Sequence, residues 1–192
     1  MNTIARDQLP MKQLLPLLLL STSMGCASSG LYQTSHLNAP LIQSPNPIIY
    51  LADNLDEQDR LGFCIDTDGK GFSDSLQVHS CKPNGDDVLF YYDEETQQIC
   101  SATYPGFCAA MLGGPQAGMK ISLVESDTES PDQKFAYDDD TGEIWPIENA
   151  ALCLAAGSQS DDAGPYMSRT LSLQPRDQTD KSLKTWVVSG AK

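Results

Sequence analysis

The groups that could do chemistry in this 192-residue chain are six cysteines, two histidines and a surplus of carboxylates. Cys26, Cys64, Cys81, Cys100, Cys108 and Cys153 include no Cys-x-x-Cys pair, so a structural zinc site is not indicated. Their remaining chemistry is cross-linking or lipid attachment, and the compartment decides between thiol and disulfide. Asp66-Thr67-Asp68-Gly69-Lys70-Gly71 opens like a calcium loop. An EF-hand would need an oxygen ligand where Lys70 stands and a glutamate where Gln77 stands, and no helices flank the loop. Asp93-Glu94-Glu95 and Asp138-Asp139-Asp140 read as solvated hairpin tips rather than metal ligands. His36 and His79 stand in no Ser/His/Asp or Cys/His pattern, and no Gly-rich phosphate loop is present. Nothing selects a carboxylate pair for glycoside hydrolysis. The chain reads as non-catalytic, with no cofactor and no metal.

The formal net charge of −14 excludes nucleic acid and anionic membrane surfaces as favoured partners, since both require a basic face. Neutral sugars, cations or a basic protein remain compatible. The compartment follows from the first 26 residues. Lys12 gives a short basic region and Leu14 to Leu20 an apolar stretch broken by Pro16, far short of the roughly 20 residues of a spanning helix. Small residues then lead to Ser23-Met24-Gly25-Cys26. Residues 1–25 therefore read as a secretory signal peptide, with either Met1 or Met11 as its start. Cys26 resembles the acylated cysteine of a bacterial lipobox, although Ser23 stands where leucine is usual. Two acyl chains give stable anchoring, so contact with a membrane is expected through this lipid only. Ala27 is not the aspartate associated with inner-membrane retention. The expected location is the outer membrane as a lipoprotein, the periplasm or the exterior, where disulfides persist.

Residues 26–45 form the lipidated terminus and a flexible spacer rich in Ser, Pro and Asn. The remainder repeats. Phe63-Cys64, Phe107-Cys108 and Leu152-Cys153 recur 44 and 45 residues apart. Alternating runs follow each pair at Leu76–His79, Ile121–Val124 and Leu171–Gln174, and then an aromatic residue at Phe90, Phe135 and Trp186. DEETQQIC over 93–100 also aligns with DDDTGEIW over 138–145. Period-2 runs between Gly, Asp, Asn and Pro turns predict short β-strands. Three such units cannot bury their faces singly. Closing them about a threefold axis gives one core and few exposed edges. Ile48 to Leu51 is expected to open the first unit and pair with Trp186 to Val188.

These landmarks resemble the ricin B-type lectins over residues 46–189. The family's Cys-Leu-x-hydrophobic strand is met at Cys64-Ile65-Asp66, Cys108-Ala109-Ala110 and Cys153-Leu154-Ala155. Its Leu-x-x-Cys strand is met only at Val78-His79-Ser80-Cys81. Its Gln-x-Trp motif is degraded to Val88-Leu89-Phe90, Gln133-Lys134-Phe135 and Lys184-Thr185-Trp186. The resemblance implies an all-β fold, a β-trefoil of three repeats of about 45 residues. It also implies a Cys64–Cys81 disulfide, which Ser126 and Arg176 deny to the other two units. Pairing among Cys100, Cys108 and Cys153 stays open. One arrangement cross-links Cys100 to Cys108 across the turn at Pro105-Gly106 and leaves Cys153 a buried thiol.

In this family a carboxylate two residues after the first Cys accepts hydrogen bonds from vicinal sugar hydroxyls, an aromatic stacks on the ring, and amides complete the pocket. Carried over, the first unit offers Asp66 and Gln77, with His79 at the stacking position, Asp87 at the Asn position and Val88 in place of Gln. Ala110 and Val124 in the second unit, and Ala155 and Gln174 in the third, leave those sites without the needed groups. A glycan, mono- or oligosaccharide, is the expected ligand. The same trefoil with degraded sugar sites also resembles the lectin-like subunits of cytolethal distending toxins, which would make a protein the partner. A protease-inhibiting trefoil of the soybean Kunitz type is a third reading.

Overall fold

The computed structural model describes residues 37–190, apart from residue 56. The expected leader, the lipid site at Cys26 and the first half of the spacer lie outside the described residues. Every landmark of the repeat becomes a strand. The first unit holds β1 (Ile48–Leu51), β2 (Phe63–Thr67), β3 (Leu76–Ser80) and β4 (Phe90–Asp93). The second holds β5 (Gln98–Ser101), β6 (Phe107–Ala110), β7 (Ser122–Glu125) and β8 (Phe135–Asp138). The third holds β9 (Glu143–Pro146), β10 (Leu152–Ala156), β11 (Asp161–Ala163), β12 (Tyr166–Pro175) and β13 (Trp186–Ser189). A single helical turn precedes the aromatic of each unit, at Asp86–Val88, Pro131–Gln133 and Lys181–Lys184. Among the described residues no helix is long and apolar enough to cross a membrane.

Strand pairing closes the chain on itself. β4 pairs antiparallel with β5, β8 with β9, and β13 returns to β1 with Leu51 opposite Trp186. The hairpins β2–β3, β6–β7 and β10–β12 cap that wall. Bridges Ser75–Ser122 and Lys120–Ser172, and the pairing of β12 with β3, join the caps around the axis. This is the expected β-trefoil with one added strand, β11.

Period two decides which residues fill the centre. Phe63 and Ile65 on β2, Leu76 and Val78 on β3, and Leu152, Leu154, Leu171 and Leu173 in the third unit all turn into one core. Phe90, Phe135 and Trp186 lie in that core, each essentially inaccessible to solvent. Burial of each such side chain is favourable by about 1.5–3 kcal/mol. The Trp186 indole N–H must keep a partner there, and it donates to the Leu154 carbonyl at 2.9 Å.

Disulfides join Cys64 to Cys81 and Cys100 to Cys108, while Cys153 is a buried free thiol. The Cys64–Cys81 bridge packs with Ile48 and Val88 in a second cluster on the outer side of β2. Ile42 packs on this cluster. The Leu41 N–H donates to the Arg60 carbonyl at 2.7 Å, and the Ser44 hydroxyl to the Lys82 carbonyl at 2.6 Å. Residues 38–45, which composition assigns to a flexible spacer, therefore lie against the trefoil. Ile42 stands beside Gln43 and Ser44 in sequence, so a composition average hides the apolar contact it makes.

Candidate functional site

The outer face of the first hairpin gathers the carried-over residues. On β2, Phe63 and Ile65 point to the core, which turns Asp66 to the opposite face. On β3, Leu76 and Val78 do the same for Gln77 and His79. Register sets Asp66 opposite Gln77 and Cys64 opposite His79. The Cys64–Cys81 bridge then ties the end of β3 back to β2, and the chain returns through Lys82 to the turn that carries Asp87. All four expected residues thus come to one place. Gln77, His79 and Asp87 line an open cavity of about 700 Å³, together with Lys82, while Asp66 does not line it and lies wholly buried against Lys82.

The floor is more closed and more ionic than the sequence suggests. Asp66 is 0% exposed, His79 6% and Asp87 8%. Lys82, which sequence reading missed, places its Nζ 2.9 Å from Asp66 Oδ2 and 3.4 Å from Asp87 Oδ1. Its only sequence signal is a basic residue directly after the disulfide cysteine. Burial pushes the Asp66 carboxyl up to about 6, against the lowering effect of the Lys82 hydrogen bond and charge. Burial also pulls on Lys82, but hydrogen bonds and charge from Asp66 and Asp87 outweigh it and hold the ammonium above its usual range. At pH 7, above the Asp66 value, the pair in contact at 2.9 Å is ionised. Asp66 Oδ1 is buried without a well-formed hydrogen bond, with only weak support from the Thr67 N–H.

His79 does not serve as a cation. Burial lowers its pKa, and Nδ1 stands 2.9 Å from the Ser80 carbonyl, which can only accept. The neutral ring therefore carries its proton on Nδ1 and offers Nε2 as acceptor. The 3.8 Å approach of Nδ1 to Asp66 is then a dipolar contact rather than an ion pair. Gln77 donates through Nε2 to the Thr67 carbonyl at 3.1 Å, so its amide also steadies the loop after β2. Tyr166, at the start of β12, sets its ring 5.5 Å from the His79 ring at 62° and lines the same cavity. No repeat landmark marks Tyr166, because β11 has no counterpart in the other units.

The places equivalent to Asp66 are Ala110 and Ala155, both buried. Gln174, at the place of His79, spends its amide on Ser172 at 2.9 Å. It lines a groove of about 550 Å³ with Thr179 and Asp180. In the second unit Gln133 is buried and accepts from Gln98 at 2.6 Å, donating in turn to the Glu125 carbonyl. The surviving glutamine of the degraded motif is there a strut. The Asp138, Asp139 and Asp140 carboxylates come within 4.8 Å of one another on a turn, where Asp138 accepts two backbone N–H groups.

No protein-family model matches the chain, and no curated protein matches it in sequence. Solved structures do. The mdaA-1 domain, solved in solution, superposes with a TM-score of 0.54 at 14% identity, covering 80% of this chain and 99% of that one. The agglutinin from Abrus precatorius gives 0.53 at 12% identity over 76% of this chain, which spans only 47% of the agglutinin chain. The C-terminal half of the earthworm R-type lectin, solved in complex with GalNAc, gives 0.50 at 14% identity over 74% and 97% of the two chains. At such identities the likeness speaks for architecture alone, and that architecture is the β-trefoil.

Proposed function

We propose that this domain binds carbohydrate without catalysis, at the cavity on the first unit. The observation that carries the reading is the convergence of Gln77, His79 and Asp87 on one open cavity, from β3 and a separate turn, with Asp66 of β2 buried behind them against Lys82. Sugar hydroxyls need paired donors and acceptors, and the lining supplies both: the Asp87 carboxylate and the His79 Nε2 accept, while the ammonium groups of Lys70 and Lys82 donate. The earthworm lectin of the same fold was solved with GalNAc bound, which supports a sugar as the ligand class. One shallow site of this kind corresponds to affinities of about 0.1–1 mM. Two disulfides suit an oxidising compartment, and export with a lipid on Cys26 is part of the proposal.

One observation favours a second reading. Lys82 already neutralises much of the floor, as expected of a sugar site turned to structural use in a subunit that binds a protein. A glycan array probed with the full chain and with Asp87→Ala separates the two. Binding lost in the variant supports the lectin, and absence of binding to every glycan favours the protein-binding scaffold.

A further inference from the structure

The added hairpin of the third unit lies beside the first unit's site. β12 is ten residues long, twice the length of β10, because its first half continues past the trefoil plan. That half pairs with β3, setting Ser168 opposite His79 and Thr170 opposite Gln77. Residues opposite each other across an antiparallel pair share a face. Period two therefore puts Tyr166, Ser168 and Thr170 in a row along the same outer face as His79 and Gln77.

The hairpin is fixed before any ligand arrives. The alternate residue Arg169 turns inward and is 7% exposed. Its guanidinium lies over the Phe63 ring at 4.7 Å, pairs with Glu57 at 2.8 Å, and donates to the Gly157 and Ser158 carbonyls at 3.1 and 3.0 Å. The Met167 N–H donates to the Ser80 hydroxyl at 3.0 Å. Tyr166 thus stands on a pinned strand beside the cavity, and ordering it on binding has little entropic cost. His79, at the family's stacking position, is nearly buried and is a weaker platform than a half-buried tyrosine. On the floor two carboxylates face one ammonium, so the charge around Lys82 remains negative once paired.

We propose that the ligand site is a composite of units one and three, in which Tyr166 supplies the stacking surface and the carboxylate excess selects neutral or amine-bearing sugars over carboxylate-bearing ones. This rests on the carbohydrate-binding reading. A sugar would lay its C–H face on Tyr166 and direct hydroxyls or an ammonium to Asp87 and the His79 Nε2. A carboxylate there would meet the carboxylates of Asp68, Asp86 and Asp87, which outnumber the lining cations Lys70 and Lys82, and Lys82 is already engaged by Asp66 and Asp87.

The test uses the full chain on an array carrying neutral, amine-bearing and carboxylate-bearing glycans, followed by titration of the best-bound glycan. Tyr166→Ala is expected to weaken binding about tenfold, in line with the loss of one aromatic contact, and Tyr166→Phe to keep it within about threefold. Unchanged thermal unfolding of both variants assigns the effect to contact rather than folding. Binding that survives Tyr166→Ala but falls with Asp87→Ala overturns the composite site and leaves the carbohydrate reading standing. Preference for carboxylate-bearing glycans overturns the charge selection. Absence of any glycan binding overturns both the composite site and the reading beneath it.

Discussion

Asp66, on β2, is wholly buried with its carboxylate against Lys82. Its folded carboxyl titrates near 6, above the ordinary 3.8, because burial disfavours its charge more than Lys82 restores it. The folded protein thus binds this proton more tightly than the unfolded chain. The stability it contributes is complete below about pH 4 and is lost as pH rises through 6. His79 acts in the opposite sense: its lowered pKa favours folding above 6.5, and that contribution fades as pH falls through the lowered value. Subtracting variants separates the two. Asp66→Asn removes the Asp66 slope, so its stability relative to the parent should rise between pH 4 and 6 and level off above 7. Urea denaturation at a series of pH values measures this, and a flat difference would place the Asp66 pKa at its ordinary value. Lys82→Met should cost about 2–4 kcal/mol at pH 7 by stranding Asp66, and much less at pH 4, where the carboxyl is neutral. The sequence could nominate Asp66, Gln77, His79 and Asp87 as candidates because each keeps a fixed distance from a cysteine or an aromatic landmark. Lys82 adjoins Cys81 but matches no motif position, and Tyr166 keeps no fixed distance from any landmark. One is a partner chosen by side-chain reach, and the other arrives from the opposite end of the chain.

Among the elements, the repeated turns show how far local sequence governs shape. Asp93 and Asp138 each accept two backbone N–H groups at the tips of β4–β5 and β8–β9. Each turn then passes through the left-handed region, at Gln97 with φ 58° and at Gly142 with φ 72°. The carbonyls of these residues accept the first N–H of the next unit's closing strand, from Phe135 at 2.8 Å and Trp186 at 2.6 Å. Equivalent places thus carry unequal residues, and substitutions there should have opposite signs. Gln97 is exposed, and Gln97→Gly relieves a left-handed side chain for a net gain of about 0.5–1 kcal/mol after the added freedom of the unfolded chain. A Cβ on Gly142 would lie 2.8 Å from the Trp186 carbonyl oxygen, so Gly142→Ala should cost about 2–4 kcal/mol. Thermal unfolding of the two variants reads both signs directly. These turns were legible because the segment repeats within the chain. β11 was not, since nothing elsewhere in the sequence repeats it and its run of exposed aspartates carries no apolar alternation.

On the scale of the whole molecule, the decisive feature is that the first and last strands are neighbours. Ile48 to Leu51 pairs residue by residue with Trp186 to Ser189, so the wall closes only when the chain is complete. Repeat spacing implied this closure, because three half-covered units have no other common place to bury Phe90, Phe135 and Trp186. Trp186 is the element of closure with the most to lose: it is buried, opposite Leu51, and bonded through its indole to Leu154. Trp186→Phe removes ring volume from a packed centre and leaves the Leu154 carbonyl without that donor, for a cost of about 2–4 kcal/mol. The manner of unfolding is the sharper test. Long-range pairing between the first and third units means that weakening β13 weakens every unit. In the variant, Trp145 remains as the sole tryptophan, under the Arg176 guanidinium at 4.4 Å in the third unit. Its fluorescence and the backbone circular dichroism should move to lower denaturant together, in one transition. Fluorescence that melts early while the dichroism of the first two units persists would show that the repeats hold themselves up singly, and that closure by β13 does not bind them into one cooperative body.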